Sequence, residues 1–450
     1  MTIFELDTLG DERVLLPGDD GYERARSVYA RTGSPAVIVQ PASAEGVARA
    51  VRFAGDNGLT LSVRGGGHSG TGQGTNDGGV VIDLTLLAAV EMLPDDLVRV
   101  GGGATWGAVA ETLGGYGLAL SSGDTSTVGV GGLTLGGGLG WMVREFGLAL
   151  DQLAEAQVVL ASGEVVTASA AQNPELFWAL RGGGGNFGVV TAFTFRAHPL
   201  DGVHFGMLQF DVDTANPDAL YDLLTGWRDV MRSAPDRLTS TFVAFPSFDG
   251  EPSWPQIFVC YGDSDDEAAA RAIAPLLALG GLTANTIERT AYAEILAEAP
   301  HPPEAVRIVN NNGFTALFDN ETVETLASVY AALPGSVLMI RYLGGEFSRV
   351  DPDATAFAYR KSETLVISAA FFPPGAPEEA VEHYQAQWSL LLPHLQGLYG
   401  NFSMLTSDLA TPLMYPPQTF DRLLRAKSLY DPRNLFDQNH NIRPGAADWR

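Results

Sequence analysis

Hydrophobic and polar positions divide the chain into two textures. Up to about residue 200, apolar residues come in short β-type runs: Ala36–Gln40, Thr60–Arg64, Val80–Leu84 and Leu97–Gly101. Each is long enough for one strand. Between the first two, Ser43–Asn57 has helical periodicity, with Ser43 as N-cap and Ala44 and Glu45 in the first turn. A second helix is predicted from about Trp106 to Gly114. Strands alternating with short helices make this part α+β or mixed α/β. Beyond it the segments lengthen. Pro217–Ser233, Asp265–Leu279 and Pro377–Leu392 are amphipathic, between strands such as Ser240–Phe245 and Leu365–Phe372. That pattern predicts an antiparallel sheet covered by helices on one face. The textures meet near Pro199-Leu200-Asp201-Gly202, where a β run ends in turn residues. The tail turns polar again around Tyr430–Asn434.

Glycine adds what the hydrophobic pattern lacks. Most of the 52 glycines precede about residue 190, many of them in four clusters: Val63–Gly70, Val100–Gly107, Gly123–Gly140 and Leu180–Val190. Such runs let backbone N–H groups turn toward a phosphate with no Cβ in the way. The second cluster follows a β run and opens a helix, a geometry that offers N–H groups to an anion. A Rossmann site needs one glycine turn between strand and helix, then an acidic residue about 20 residues on. Here glycines recur through roughly 130 residues, and no clean helix is predicted behind the third cluster. Neither Lys361 nor Lys427 follows a glycine, which excludes a P-loop. Several loops converging on one extended ligand, polyanionic in its middle and flat at one end, account for the pattern. His68, inside the first run, would sit beside whatever the phosphate carries. With a flavin nucleotide as ligand, its imidazole is placed to bond to the ring; the alternative is a glycine-rich turn with a surface histidine.

Charge narrows the partners. Net charge is −26 with lysine only at Lys361 and Lys427, which disfavours nucleic acid and anionic membrane surfaces. Cys260 is the only cysteine, so there is no intrachain disulfide, CxxC metal site or iron–sulfur cluster. Its run Ile257–Tyr261 reads as a strand, and Cys260 as a small core residue. His198, His204, His301, His383 and His394 show no metal-ligand spacing. Met1–Asp7 lacks the features of a signal peptide, and no run approaches the ~18 apolar residues of a membrane span. A soluble, cytoplasmic protein is expected.

Arg64–Ser69, Val81–Leu84, Gly101–Trp106, Thr127–Gly132, Gly136–Gly140 and Arg181–Gly188 follow one another in a particular order. In that order they resemble the FAD-binding domain of the vanillyl-alcohol-oxidase/PCMH superfamily. Tyr430–Ile442, Leu343-Gly344-Gly345 and Thr355-Ala356-Phe357 are similar to its berberine-bridge-enzyme-like branch. The resemblance implies an α+β, two-domain fold. A PCMH-type FAD domain would span residues 1–200, with 416–450 returning to it. Residues 201–415 would form a substrate domain of antiparallel sheet backed by helices.

It also implies a site. FAD would be carried through its 8α-methyl group by His68. Arg64, Gly65, Gly66, Gly67, Ser69, Gly123, Thr125, Thr127, Val128, Gly131, Gly132, Gly138, Gly140, Val190, Asn439 and Asn441 would bind it. Many relatives add a second link from a cysteine where Thr125 stands here, so attachment through His68 only is expected. One link fewer implies a less positive flavin potential. The implied reaction is hydride transfer from an alcohol or amine carbon to flavin N5, with O2 reoxidising the flavin to give H2O2. A dehydrogenase using another acceptor, or a non-catalytic flavin-binding protein, are the alternatives. Tyr399, in the strand motif Tyr399-Gly400-Asn401-Phe402, is the first candidate for base or orienting hydroxyl. Tyr359 is another, and so is Glu346, in a β-like run after Gly344-Gly345. Phe402 stands where relatives often have tyrosine, which argues against a two-tyrosine mechanism. His440 would point away if its segment is extended. Sugars are disfavoured as substrates, because open carbohydrate grooves usually accompany double linkage. No motif names the oligomeric state.

Overall fold

The computed structural model describes residues 6–246, 253–298, 306–407 and 410–445. His301 lies outside them. The early β runs form strands β1 (Arg13–Leu15), β2 (Val37–Gln40), β3 (Leu61–Arg64) and β4 (Val80–Asp83), ordered β1-β2-β4-β3. The last three pair in parallel. Helix α1 (Ala44–Asp56) connects β2 to β3, and Gly46 N donates to the Ser43 side chain at 3.1 Å. A cap of this kind is worth about 1 kcal/mol. Val47 and Val51 of α1 meet Val37, Val39, Val80 and Ile82 in a core of their own.

A second sheet is antiparallel: β5 (Val90–Met92), β6 (Leu97–Gly101), β7 (Leu153–Val159), β8 (Val165–Ser169) and β9 (Val189–Arg196), ordered β5-β6-β9-β7-β8. It packs on α2 (Trp106–Gly114) and α4 (Pro174–Leu180). Between them α3 (Val130–Gly136) lies inside the third glycine cluster, behind which the sequence predicts no clean helix. Gly137, at φ +145°, ends it. The chain leaves this half through a short pairing of His198–Pro199 with Leu118–Ala119.

The third sheet is antiparallel throughout, as the longer amphipathic pattern predicts. Its strands are β10 (Val203–Phe210), β11 (Leu238–Ala244), β12 (Gln256–Tyr261), β13 (Leu282–Asn285), β14 (Arg307–Thr315), β15 (Ser336–Tyr342) and β16 (Thr364–Phe372). The order is β13-β10-β12-β11-β15-β16-β14, with Glu288–Thr290 also on β10. Alternation sorts its faces. Ile257, Val259 and Tyr261 join a core with α5 (Pro217–Ser233), α6 (Asp266–Leu277), α7 (Asn320–Ala331) and α8 (Glu378–Ser389). Phe258 and Cys260 face the opposite way, toward Trp141. That helix-free face therefore meets the glycine-rich half.

Helix α9 (Pro417–Tyr430) returns to the first half, where Leu423 and Ala426 join the second sheet's core. The return is pinned by Lys427, which has no exposed surface. Its Nζ donates to Asp431 Oδ2 (2.7 Å), the Asn186 carbonyl (2.8 Å) and the Phe436 carbonyl (2.9 Å). No described helix is long and apolar enough to cross a membrane, and no described cluster of His, Cys, Asp or Glu could hold a metal.

Candidate active site

The glycine clusters meet because glycine lets their backbones touch. A Cβ on Gly66 would lie 2.2 Å from Gly129 N, so the first and third clusters close only with glycine at both positions. Gly182, at φ +122°, would place a Cβ 2.4 Å from Phe357 N and so brings the fourth cluster against the Ala356-Phe357 backbone. Where the clusters part, they leave a cavity of about 1170 Å³. This exceeds the roughly 300–1,000 Å³ of small-ligand pockets, leaving room for a dinucleotide and a substrate. Gly132 and Gly185 lie on its wall with nothing within 4 Å of the Cβ position, so bare backbone faces the space.

The wall residues fit FAD. Asn439 Nδ2 donates to the Gly185 and Phe436 carbonyls, which leaves its Oδ1 buried without a partner and able to accept from a ligand N–H or O–H. Amides fix the surrounding loop. Gln73 Nε2 donates to the Asn439 carbonyl at 2.7 Å. Asn186 Nδ2 donates to the Gly183 and His440 carbonyls, and its Oδ1 accepts from Ile442 N. Of the guanidinium groups on the wall, Arg31 pairs with Asp77, and Arg64 donates one N–H to the Ala25 carbonyl while its Nε is buried without a partner. A phosphate there would meet backbone N–H groups.

Of the residues singled out from sequence, the cavity wall holds His68, Arg64, Gly65, Gly66, Gly67, Ser69, Gly123, Thr125, Val128, Gly131, Gly132, Val190, Asn439, Tyr359 and Tyr399. The His68 ring stacks on Tyr29, centroids 5.4 Å apart. Thr127, Gly138, Gly140 and Asn441 are not among the residues that line the cavity, though Asn441 Oδ1, like that of Asn439, is buried without a partner. Thr127 is exposed, Gly138 N–H donates to Tyr399, and Gly140 packs on the Ser122 and Gly123 carbonyls. Glu346 is elsewhere. Gly344 (φ +99°) and Gly345 (φ +57°) turn the chain into a one-turn helix, Glu346–Arg349, in place of the β-like run expected. There Glu346 pairs with Arg349 at the surface.

Tyr399 is buried, and its motif is a tight turn, not a strand: Gly400–Phe402 forms a single 3₁₀ turn. Two donors converge on its phenolic oxygen, Gly138 N–H at 3.0 Å and Asn401 Nδ2 at 3.1 Å. Burial raises its pKa above the ordinary tyrosine value, while these two bonds and the Arg341 charge pull it down. Tyr359 stacks on Phe314, and burial pushes its pKa up to about 12. His440 lines the cavity, where the expected alternation would turn it away. Its segment has no strand, and its Nε2 lies 2.9 Å from the Gly400 carbonyl. From the substrate sheet, Ile308 and Asn310 of β14 and Phe371 of β16 complete the wall. Gln73 and Asn310 do not stand out in the sequence, whereas Asn401 and Asn186 lie inside the motifs Tyr399–Phe402 and Arg181–Gly188 without a role that the sequence assigns.

Residues 35–169 match the FAD binding domain family, and residues 399–443 match the berberine and berberine-like family. The chain is 30% identical to (R)-6-hydroxynicotine oxidase of Paenarthrobacter nicotinovorans over 450 residues, 96% of each chain. It is also 30% identical to chitooligosaccharide oxidase of Gibberella zeae, covering 92% of this chain and 88% of that one. Among solved structures, 6-hydroxy-D-nicotine oxidase of Arthrobacter nicotinovorans superposes with a TM-score of 0.84 at 29% identity, covering 97% of this chain and 98% of that one. Xylooligosaccharide oxidase of Myceliophthora thermophila, in complex with xylobiose, gives 0.87 at 25% identity over 98% and 99% of the two chains. The glycine-walled cavity and these matches agree: the chain belongs to the berberine-bridge-enzyme-like FAD-linked oxidases of the PCMH/vanillyl-alcohol-oxidase superfamily.

Proposed function

We propose that the chain oxidises a small alcohol or amine, with FAD tethered through His68 alone and Tyr399 managing the substrate proton. The observation that carries this reading is the pair of donors converging on a buried phenol at the wall that His68 also lines. FAD, when bound, supplies a two-electron acceptor for the hydride of the substrate carbon, and O2 restores it with release of H2O2. The protein's own residues manage position and proton. Gly138 N–H and Asn401 occupy the lone pairs of Tyr399, so its own hydrogen is the one left to donate to a substrate heteroatom. The same two bonds stabilise the phenolate, the form that accepts the O–H or N–H proton. Thr125 stands where the second link would start, and supports attachment through His68 alone.

In this reading residues 1–200 and 416–450 form the FAD domain and 201–415 the substrate domain. The partners are a small molecule and O2, with no nucleic acid or membrane. The proposed location is the cytoplasm, on the strength of an unpaired, buried Cys260, which suits a reducing compartment. The test is acid precipitation with two variants. Wild type should keep its yellow colour in the pellet, and His68→Ala should release it. Tyr399→Phe should keep the flavin and lose about 10²–10⁴-fold in kcat, the usual scale of general acid–base catalysis. Colour in the supernatant of wild type removes the covalent link, and a fully active Tyr399→Phe enzyme removes the proton role.

A further inference from the structure

The contact between the third glycine cluster and the substrate sheet holds an ion pair whose arginine is buried and whose aspartate reaches the cavity. Arg341, in β15, is 4% exposed and pairs with Asp124, the residue before Thr125. Its guanidinium lies over the Phe402 ring, 5.7 Å from the centroid, and Phe402 meets the Tyr399 ring edge-on at 5.1 Å. Asp124 is on the cavity wall and is tied from the substrate side, since Ala297 N donates to its carbonyl at 3.0 Å. Ser126 N donates back to the Ala297 carbonyl at 2.9 Å. The Asp124 backbone is therefore fixed in place.

Burying a charge such as that of Arg341 is costly even when it is paired, so stability alone does not account for this pair. Its placement beside the proton-handling tyrosine does. The groups that touch Tyr399 carry no charge: the Gly138 backbone, the Asn401 amide, and the rings of Phe314, Phe357 and Phe402. Beyond Phe357 stands a second pair, Arg360 with Asp151, which all the variants below leave in place. His440, on the Gly400 carbonyl, is held toward its neutral form by burial. Arg341 is the cation whose charge lowers the proton affinity of the phenol, and Asp124 is its ion-pair partner.

We propose that Arg341 is a positioning residue that sets the proton affinity of Tyr399, with Asp124 as its counterweight. This rests on the proton role of Tyr399 proposed above. It has a consequence that a purely structural pair lacks: removing the two charges moves the tyrosine in opposite directions. A unit charge one aromatic ring away in a poorly solvated site changes proton affinity roughly tenfold.

The experiment is a titration of holoenzyme labelled with ¹³Cζ-tyrosine, in which the Tyr399 resonance is the one missing from Tyr399→Phe. Asp124→Asn, which frees the Arg341 charge, should lower the pKa of Tyr399 by about one unit. Arg341→Gln should raise it by a similar amount, and Arg341→Lys should stay close to wild type. A pKa in Asp124→Asn that is not below that of Arg341→Gln overturns the proposal, and so do shifts in the same direction. If Arg341→Gln does not fold, wild type, Arg341→Lys and Asp124→Asn decide by the same order. Undiminished activity in Tyr399→Phe would remove the catalytic reading and leave this order intact, so the two failures are told apart.

Discussion

Glu145 shows how burial sets the behaviour of a single residue. It lies where the two halves meet, 3.1 Å from Arg237, with Oε2 buried and unpartnered. Burial raises its pKa to about 7; Arg237 opposes the shift, while Asp263 and Asp236 add to it. The folded protein thus prefers the neutral carboxyl. That contribution is fully present below the unfolded value near 4.5 and is lost as pH rises through about 7. Glu145→Gln should therefore be more stable than wild type at pH 8, by about 3 kcal/mol, since each tenfold change in proton affinity is worth about 1.4 kcal/mol. The gain should vanish below pH 4.5, and urea melts at the two pH values check it. Tyr399 behaves differently at this scale. Its motif was legible, but the Gly138 N–H that meets its oxygen lies 261 positions away and was not. As its pKa is raised, kcat/KM should climb from pH 7 to 10, and a flat profile would count against Tyr399 as the base.

Among elements, α9 depends on the one buried lysine. Lys427→Met leaves Asp431 and two carbonyls without their cation and should cost about 3–5 kcal/mol, the scale of breaking a buried pair. A lower urea midpoint of the holoenzyme would show it. The helices and strands themselves were legible because periodicity and caps are local: Ser43 and Thr105 cap their helices as side-chain acceptors. Two elements misled for equally local reasons. The stretch around Glu346 reads as β-like until Gly344 and Gly345 take positive φ and turn it into a helix. The 3₁₀ turn at Gly400–Phe402 is built by contacts, since Tyr399 N donates to Asn312 Oδ1 at 2.7 Å.

Across the whole molecule, the cavity takes its wall from both halves, and Arg360 ties them through two bonds to Asp151, at 2.8 and 2.7 Å. A ligand held there stabilises both at once. FAD-free His68→Ala protein should unfold at a lower temperature than the same protein reloaded with FAD. The difference should grow with FAD concentration, reaching about 2.7 kcal/mol at a hundredfold excess over Kd. Calorimetry reads this directly, and an unchanged Tm would mean that the cavity does not take the dinucleotide.

The sequence by itself determined the two textures, the four glycine clusters, the family and His68 as the flavin-side candidate. These depend on residue type and spacing, which survive without coordinates. Only the tertiary structure decided which candidates line the cavity; Thr127, Gly138, Gly140 and Asn441 do not, and Glu346 lies on the surface. It also brought Arg341 to Asp124 across 217 positions and aimed two donors at Tyr399. The physical reason is range: glycine and periodicity act over a few residues, whereas the field on a buried phenol depends on charges brought near it by packing.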